Sequence, residues 1–381
     1  MARPTKGAPN HGKYYEVKKV IIDAKGNKSR KSFYSTVSKA DASRQANEYQ
    51  VKILGKPADN KTIKFGKYAK DWLENSKRHK VSANTYEYTY KLAVNNHLIP
   101  YFDNYSLSSI KREDVERFFT EKKSYSASQL NKLKITLSAI FERAIDDDLI
   151  YKNPCKNIEL PRSDKKPKEK HAYTAEESRR LIDFAKSNPA GASIAILLKT
   201  GLRRGELLGL RWQDVDFNRQ VIKVINAVKE VRGAVEEGPP KTKNSVREIP
   251  FDDELKSVLL SIPRTVTKHK GKNEVRAEYQ VQNEYVISDA KGKCMRPTNW
   301  VKRLYNPIMD DFIAEENKHE RNTLKLSAHE LRHTYGTLLY KSGTDIYTIQ
   351  KLMGHSDISV TVSIYVHNDL ETIKKAMKLD Y

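Results

Sequence analysis

Residues 328–337 read AHELRHTYGT, and this one helix can be spelled in two ways. As H-E-x-x-H, it sets His329 and His333 one turn apart with Glu330 between them, the pattern of a zinc peptidase. As H-x-x-R, it sets His329 and Arg332 on a shared face at i and i+3. The two spellings belong to different folds and different chemistry. A guanidinium is permanently charged and has no lone pair, so Arg332 beside a metal cation is costly unless carboxylates intervene. The third-ligand position after H-E-x-x-H-x-x-G holds Leu339, and no Glu occurs between Glu330 and Glu371. An imidazole beside a guanidinium suits a phosphate. The residues therefore favour H-x-x-R, with no metal and no cofactor.

Charge points the same way. The 381 residues, long enough for two or three domains, carry 70 Lys and Arg against 48 Asp and Glu, a formal charge of +22. A polyanion is the expected partner. The two cysteines, Cys155 and Cys294, are too few for a disulfide framework or a thiolate zinc site,. MARPTKGAPNHGKYY places no apolar run after its charges, and no stretch approaches the roughly eighteen apolar residues of a membrane span,. A cytoplasmic, DNA-bound protein with no membrane contact is expected.

Periodicity divides the chain. Residues 1–56 read as a small three-stranded sheet with one helix: YYEVKKVII and SRKSFYSTV alternate about DAKGNK, and KADASRQANEYQVKIL has helical spacing,. Thirteen Lys or Arg face four Asp or Glu there, so a DNA-binding module is expected,. Residues 62–157 carry amphipathic segments (FGKYAKDWLENSK, SANTYEYTYKLAVNNHLIPYF, REDVERFFTEK and SASQLNKLKITLSAIFERAIDD) that predict a helical bundle,. Residues 158–171 are basic and contain two prolines, which predicts a linker,. From 172 to 381, starting at a capping box of Thr174 and Glu177, the pattern is mixed but mostly helical, with a β-hairpin,. The fold class is thus mainly α with small β elements.

Three further stretches of this last region carry chemistry. In KTGLRRGELLGLRWQDVDF (199–217), Gly201 ends one helix and another begins, with Arg203 at the junction and Glu206 one turn on to hold it,. In INAVKEVRGAVEEGPPKTKNSVREIPF, two strands flank a Gly- and Pro-containing loop, and Lys241 follows Pro239 and Pro240 on the expected hairpin,. In LMGHSDISVTVSIYVH (352–367), His355 opens a turn and Tyr365 follows ten residues later in an apolar, β-branched run. Taken singly, each has an ordinary structural reading: a surface arginine, a solvated lysine, a core tyrosine.

Together, in this order, the four stretches resemble the tyrosine recombinases of the phage-integrase family. TGLRRGELLGLRW is similar to the family's first-arginine motif, PKTKNSVREIP to its lysine hairpin, AHELRHTYGT to its H-x-x-R box and LMGHSDISVTVSIY to its nucleophile box, with Met353 where leucine is commoner. The resemblance is strongest over 172–368. It also likens the upstream bundle to the family's SAM-like core-binding domain, and residues 1–56 to the arm-binding domain of integrases from conjugative transposons and temperate phages.

The resemblance implies a set of roles. Tyr365 is the nucleophile that attacks the scissile phosphodiester and leaves a 3′-phosphotyrosine and a 5′-hydroxyl. Arg203 and Arg332 clamp the non-bridging oxygens, and His355 adds a donor. Lys241 protonates the leaving 5′-oxygen, His329 handles the tyrosine proton and Glu206 supports Arg203. Neither ATP nor a divalent metal is then required. The implied working state is a homotetramer on two DNA duplexes, the tail HNDLETIKKAMKLDY is expected to form a helix, and an excisionase or host DNA-bending protein is an expected partner. The rival readings are a type IB topoisomerase, a Xer-like resolvase and a DNA-binding regulator without catalysis; the last gives no reason for every catalytic slot to be filled.

Overall fold

The computed structural model describes residues 14–22, 28–54, 63–166, 169, 171–188, 190–240, 245–270, 277–359 and 362. The chain divides into two compact units, residues 1–168 and 169–381. The boundary falls inside the predicted linker.

In the first unit, strands Tyr15–Ile22 and Lys28–Ser35 pair antiparallel, with Ile21 opposite Ser29 and Val17 opposite Phe33. Alternation turns Ile21 and Phe33 inward onto Ala46 of the helix Lys39–Leu54, and this is a small core,. Two of the three expected strands lie among the described residues.

The helical bundle follows the expected segments closely. Phe65–Asp71 continues into Trp72–Lys77; Ala83–Thr85 and Tyr86–Lys91 are followed by Val94–Leu98 and Ile99–Phe102; then come Arg112–Glu121 and Ala127–Asp146. Serines cap two of these helices, whereas Phe65–Asp71 follows Lys64, whose side chain makes no cap hydrogen bond. Ser82 Oγ accepts from the Thr85 amide at 3.3 Å, and Ser126 exchanges hydrogen bonds with Gln129 in a capping box,. The core is aromatic: Phe65, Phe102, Phe118, Phe119 and Phe141 are fully buried, and their rings meet edge-on or tilted,. The tyrosines divide between two fates, with Tyr68 and Tyr86 buried and Tyr88 exposed.

The first half of the predicted linker packs onto this bundle. Ile158 is buried in its core, Ser163 Oγ donates to the Tyr125 carbonyl at 2.5 Å, and the Asp164 amide donates to the Lys123 carbonyl at 2.9 Å. A single isoleucine at the right register outweighs the polarity of its neighbours.

The second unit is built around the helix Ala192–Thr200, buried on nearly every side and packed against Ala175–Lys186, Asp253–Ser261 and Ala328–Lys341. Thr174 and Glu177 form the expected capping box. The β elements lie around this helical core. Val215–Asp216, Val221–Val224 and Arg247–Pro250 form one antiparallel sheet in that order. Ala227–Val231 pairs with Ala234–Gly238, and Thr265–Lys270 with Ala277–Gln282.

The stretch 225–251 departs from the two-strand expectation. Its hairpin turns at Arg232 and Gly233, both with positive φ, as a two-residue reversal matching the strand twist requires,. The returning Arg247–Pro250 leaves the hairpin and pairs with Val221–Val224. Three strands are therefore present where two were expected.

Candidate active site

The site begins at two helix ends. The helix Ala192–Thr200 stops at Gly201, in the left-handed conformation at φ 60°, where an added Cβ would lie 2.3 Å from the Tyr335 ring,. The chain then enters Arg204–Leu208 with Arg203 at its cap: the Arg203 amide donates to Glu206 Oε2 at 2.8 Å, and its Nη1 donates to Glu206 Oε1 at 2.7 Å. The second end is that of Ile346–Met353, which closes at Gly354, also left-handed at φ 60°, and delivers His355. The sequence encodes both ends as glycine after an apolar helical run.

Arg332 joins the two. Its helix, Ala328–Lys341, starts at Ser327 with Glu330 in a capping box, the Glu330 carboxylate accepting from the Ser327 amide at 2.7 Å. The acid of the zinc-peptidase spelling is thus engaged at the helix start. Arg332 is buried; its Nη1 donates to the Gly201 carbonyl at 2.6 Å, its Nη2 to the Met353 carbonyl, and Glu206 Oε2 lies 3.9 Å away. His329 is exposed in the first turn of the same helix. Among the described residues, no group of three or more His, Cys, Asp or Glu is arranged to hold a metal ion.

A third arginine completes the cluster, and the sequence reading did not single it out. Arg247 binds Glu206 in a fork, Nη1 to Oε1 at 3.2 Å and Nη2 to Oε2 at 2.9 Å, with both side chains 2% exposed,. Its Nε donates to the Leu352 carbonyl at 2.6 Å and its Nη1 to the Ser245 carbonyl at 3.0 Å. Arg203 Nη2 in turn donates to the Gly354 carbonyl at 2.9 Å. Three consecutive carbonyls, at Leu352, Met353 and Gly354, therefore each receive a different arginine. Helix C-terminal carbonyls lack intrahelical donors and carry partial negative charge, so this end is a natural seat for cations. A signal for Arg247 was present: in REIP it shares the inward phase of Ile249 on an alternating strand,.

The electrostatics follow from this packing. Burial pushes the Glu206 carboxyl up, but the hydrogen bonds and charge of Arg247 and the charges of Arg203 and Arg332 outweigh it and hold the group below its ordinary range,. His355 is half-buried and pushed down to about 4, first by burial and then by Arg332, Arg203, Arg247 and His329. At neutral pH it is an uncharged imidazole. It thus offers a phosphate a hydrogen-bond donor and no charge of its own.

The structure brings Arg203, Glu206, Arg332 and His355 together, with His329 close enough to influence His355. Lys241, Tyr365 and the expected tail helix lie outside the described residues.

Comparison with known proteins identifies the family. The family model described as "Phage integrase family" matches residues 172–372, more than half of the chain. The chain belongs to the phage integrase family. It also matches the family's N-terminal SAM-like domain over residues 64–123, within the helical bundle. It is 29% identical to a XerC-like tyrosine recombinase of Caldanaerobacter subterraneus subsp. tengcongensis, over 96% of this chain and 95% of that one. It is 28% identical to the transposase from transposon Tn916 of Enterococcus faecalis, over 72% and 67% of the two chains. Among solved structures, the Tn1549 transposon integrase bound to transposon right-end DNA overlays with a TM-score of 0.67 at 24% identity, over 83% of this chain and 98% of that one, and so shares the fold. The recombinase is a tyrosine site-specific recombinase, a DNA strand-cleaving and rejoining enzyme. Among the described residues no helix is long and apolar enough to cross a membrane.

Proposed function

We propose that the recombinase integrates and excises a mobile genetic element by cutting and rejoining DNA through a 3′-phosphotyrosine on Tyr365. The observation that carries this reading is the convergence of Arg203 and Arg332 on one buried carboxylate beside the neutral His355. Three guanidinium groups less one carboxylate leave two positive charges at the site. A phosphodiester carries one negative charge, and the five-coordinate state reached on attack carries two. The cluster therefore matches the transition state better than the substrate, which is the condition for accelerating the step.

In this reading the Tyr365 oxygen attacks phosphorus while His329 receives its proton. Arg203 and Arg332 hold the non-bridging oxygens, with His355 donating to the same group. Lys241 supplies a proton to the departing 5′-oxygen. The phosphotyrosine conserves the bond energy, so a 5′-hydroxyl from another strand reverses the step and no ATP is consumed. Residues 1–56 bind separate arm sites, residues 62–157 the core site, and 172–381 perform the chemistry. His333 stays outside the chemistry.

The relatives support the mobile-element role: transposases of Tn916 and Tn1545 and the ICEBs1 integrase of Bacillus subtilis are among them, and they favour this reading over a Xer-like resolvase. A lambda integrase tetramer bound to a Holliday junction shares the fold at a TM-score of 0.54, which supports a tetramer on two duplexes for this chain. An excisionase or host bending protein would set the direction of the reaction.

The test uses duplexes tiled across the DNA flanking the chain's own gene, where an element's ends lie. The intact chain should form a covalent adduct with one of them and exchange strands in excess EDTA. A chain starting near Asn60 should keep cleavage, lose arm-duplex binding and show a salt dependence shallower by about 0.9 in log–log slope per lost phosphate contact. Chelator-sensitive cleavage would refute the metal-free chemistry. Unchanged binding by the shortened chain would move residues 1–56 to protein contacts.

A further inference from the structure

We infer that Arg247, which has no assigned role, is a positioning residue for strand cleavage: by holding Glu206 and the Leu352 carbonyl it sets both phosphate-clamping arginines and the turn that carries His355. The inference rests on the proposed function above, since it concerns how those residues are presented to a phosphate.

The geometry separates Arg247 from the residues that meet DNA. Its side chain is 2% exposed against 38% for Arg203, and it differs from the equally buried Arg332 in hydrogen-bonding both Glu206 oxygens, where Arg332 stands 3.9 Å from Oε2. Arg247 acts from beneath. Its fork takes one hydrogen bond to each Glu206 oxygen, and its Nε reaches the helix end that precedes His355. Each Glu206 oxygen is thereby shared: Oε1 between Arg203 and Arg247, Oε2 between the Arg203 amide and Arg247, with Arg332 3.9 Å from Oε2.

The sharing has a consequence for the clamp. A buried carboxylate deprived of one partner draws harder on those that remain. Without Arg247, Glu206 would pull the Arg203 guanidinium inward and away from the phosphate position. The helix end would also lose one of its three arginines. The fit at Gly354 makes that loss local and severe, because a Cβ built there would already lie 3.1 Å from Arg247 Nη1, so turn and guanidinium are in close register. Lysine cannot substitute. An ammonium keeps the charge but has no planar fork to span two carboxylate oxygens and a carbonyl at once.

The experiment compares the full-length chain with Arg247→Lys and with the double variant Glu206→Gln/Arg247→Met. Each is assayed for thermal midpoint, for equilibrium binding to the flanking duplex that captures the unaltered chain, and for the rate of covalent adduct formation at saturating protein. Arg247→Lys should bind DNA within about twofold of the unaltered chain and cleave roughly 10- to 100-fold more slowly, a range typical of a misplaced clamp. The double variant removes the buried Glu206–Arg247 ion pair as a whole and leaves Arg332 on its two backbone carbonyls, so it should recover part of the lost thermal stability without recovering cleavage,. A duplex with a neutral methylphosphonate at the scissile position demands less of the clamp, and on it the Arg247→Lys deficit should narrow. Normal cleavage by Arg247→Lys, restored cleavage in the double variant, or a deficit equally large on methylphosphonate would each overturn the inference while leaving the proposed function standing. Absence of any adduct from the unaltered chain would defeat the proposed function, and the inference with it.

Discussion

In the helical bundle Arg78 pairs with Glu74, Arg112 with Glu116 and Arg143 with Asp147, each pair one helical turn apart and open to solvent. In the catalytic unit Glu206 sits with Arg203, Arg247 and Arg332 where three of the four side chains are 3% exposed or less. The bundle keeps charge outside an aromatic core; the catalytic unit builds charge into its core. Exposed pairs at i and i+4 contribute a few tenths of a kcal/mol, whereas breaking a buried pair costs about 3–5 kcal/mol because a desolvated charge is left alone. The difference marks where each unit places its specificity. The bundle is held by apolar burial and tolerates changes in charge. In the proposed mechanism the catalytic unit accepts buried charge because it holds Arg203 and Arg332 in place to clamp a phosphate.

The largest effect that would sharpen this contrast is expected from Glu206→Ala. It leaves three guanidinium groups facing one another, so the second unit should lose about 3–5 kcal/mol, or roughly 6–20 °C in thermal midpoint, and cleavage should fall by at least about a hundredfold. Calorimetry on the full chain would show the loss in one transition. A change below about 1 kcal/mol would mean that the cluster is solvated in solution and that the contrast is false.

A smaller effect is expected from pH. His355 is held near 4, below its ordinary range, so the unfolded chain binds its proton more readily than the folded one,. Its contribution to stability is fully present above about pH 6.5 and is lost as pH falls toward 4. His355→Gln should therefore flatten the decline in thermal midpoint across that window and leave the midpoint above pH 7 nearly unchanged. Parallel declines in the two proteins would show that His355 is neither desolvated nor crowded by the arginines. The smallest effect belongs to the bundle: Arg78→Ala should shift stability by less than about 0.5 kcal/mol, and a loss of 2 kcal/mol or more would break the comparison from the other side.

The same contrast explains what could be read from the sequence. The bundle's helices, and the capping boxes at Ser126 and Thr174, depend on residues three or four apart, and they appear where local spacing places them. Arg203, Arg332 and His355 were legible for a different reason, through motifs that resemble a known family. For Arg247 the alternation of REIP signals burial but not its role, because its partners Glu206 and Leu352 are 41 and 105 residues away. No local period records such contacts. The hairpin was misread on related grounds: the turn at Arg232 and Gly233 is a short-range signal, but the pairing of Arg247–Pro250 with Val221–Val224 is not. Ile158 shows the reverse error, an apolar residue discounted because its neighbours are charged.

The central claim is that this charged core serves a tyrosine nucleophile, and mapping the covalent adduct tests it most directly. The intact chain, captured on its flanking duplex in excess EDTA, is digested with protease and the DNA-linked peptide is sequenced by mass spectrometry, with Tyr365→Phe as the control. The account predicts a single peptide carrying Tyr365 joined to a 3′-phosphate, with no adduct from Tyr365→Phe despite near-normal DNA binding. An adduct at another residue, a linkage to a 5′-phosphate, or an adduct that survives in Tyr365→Phe would contradict it.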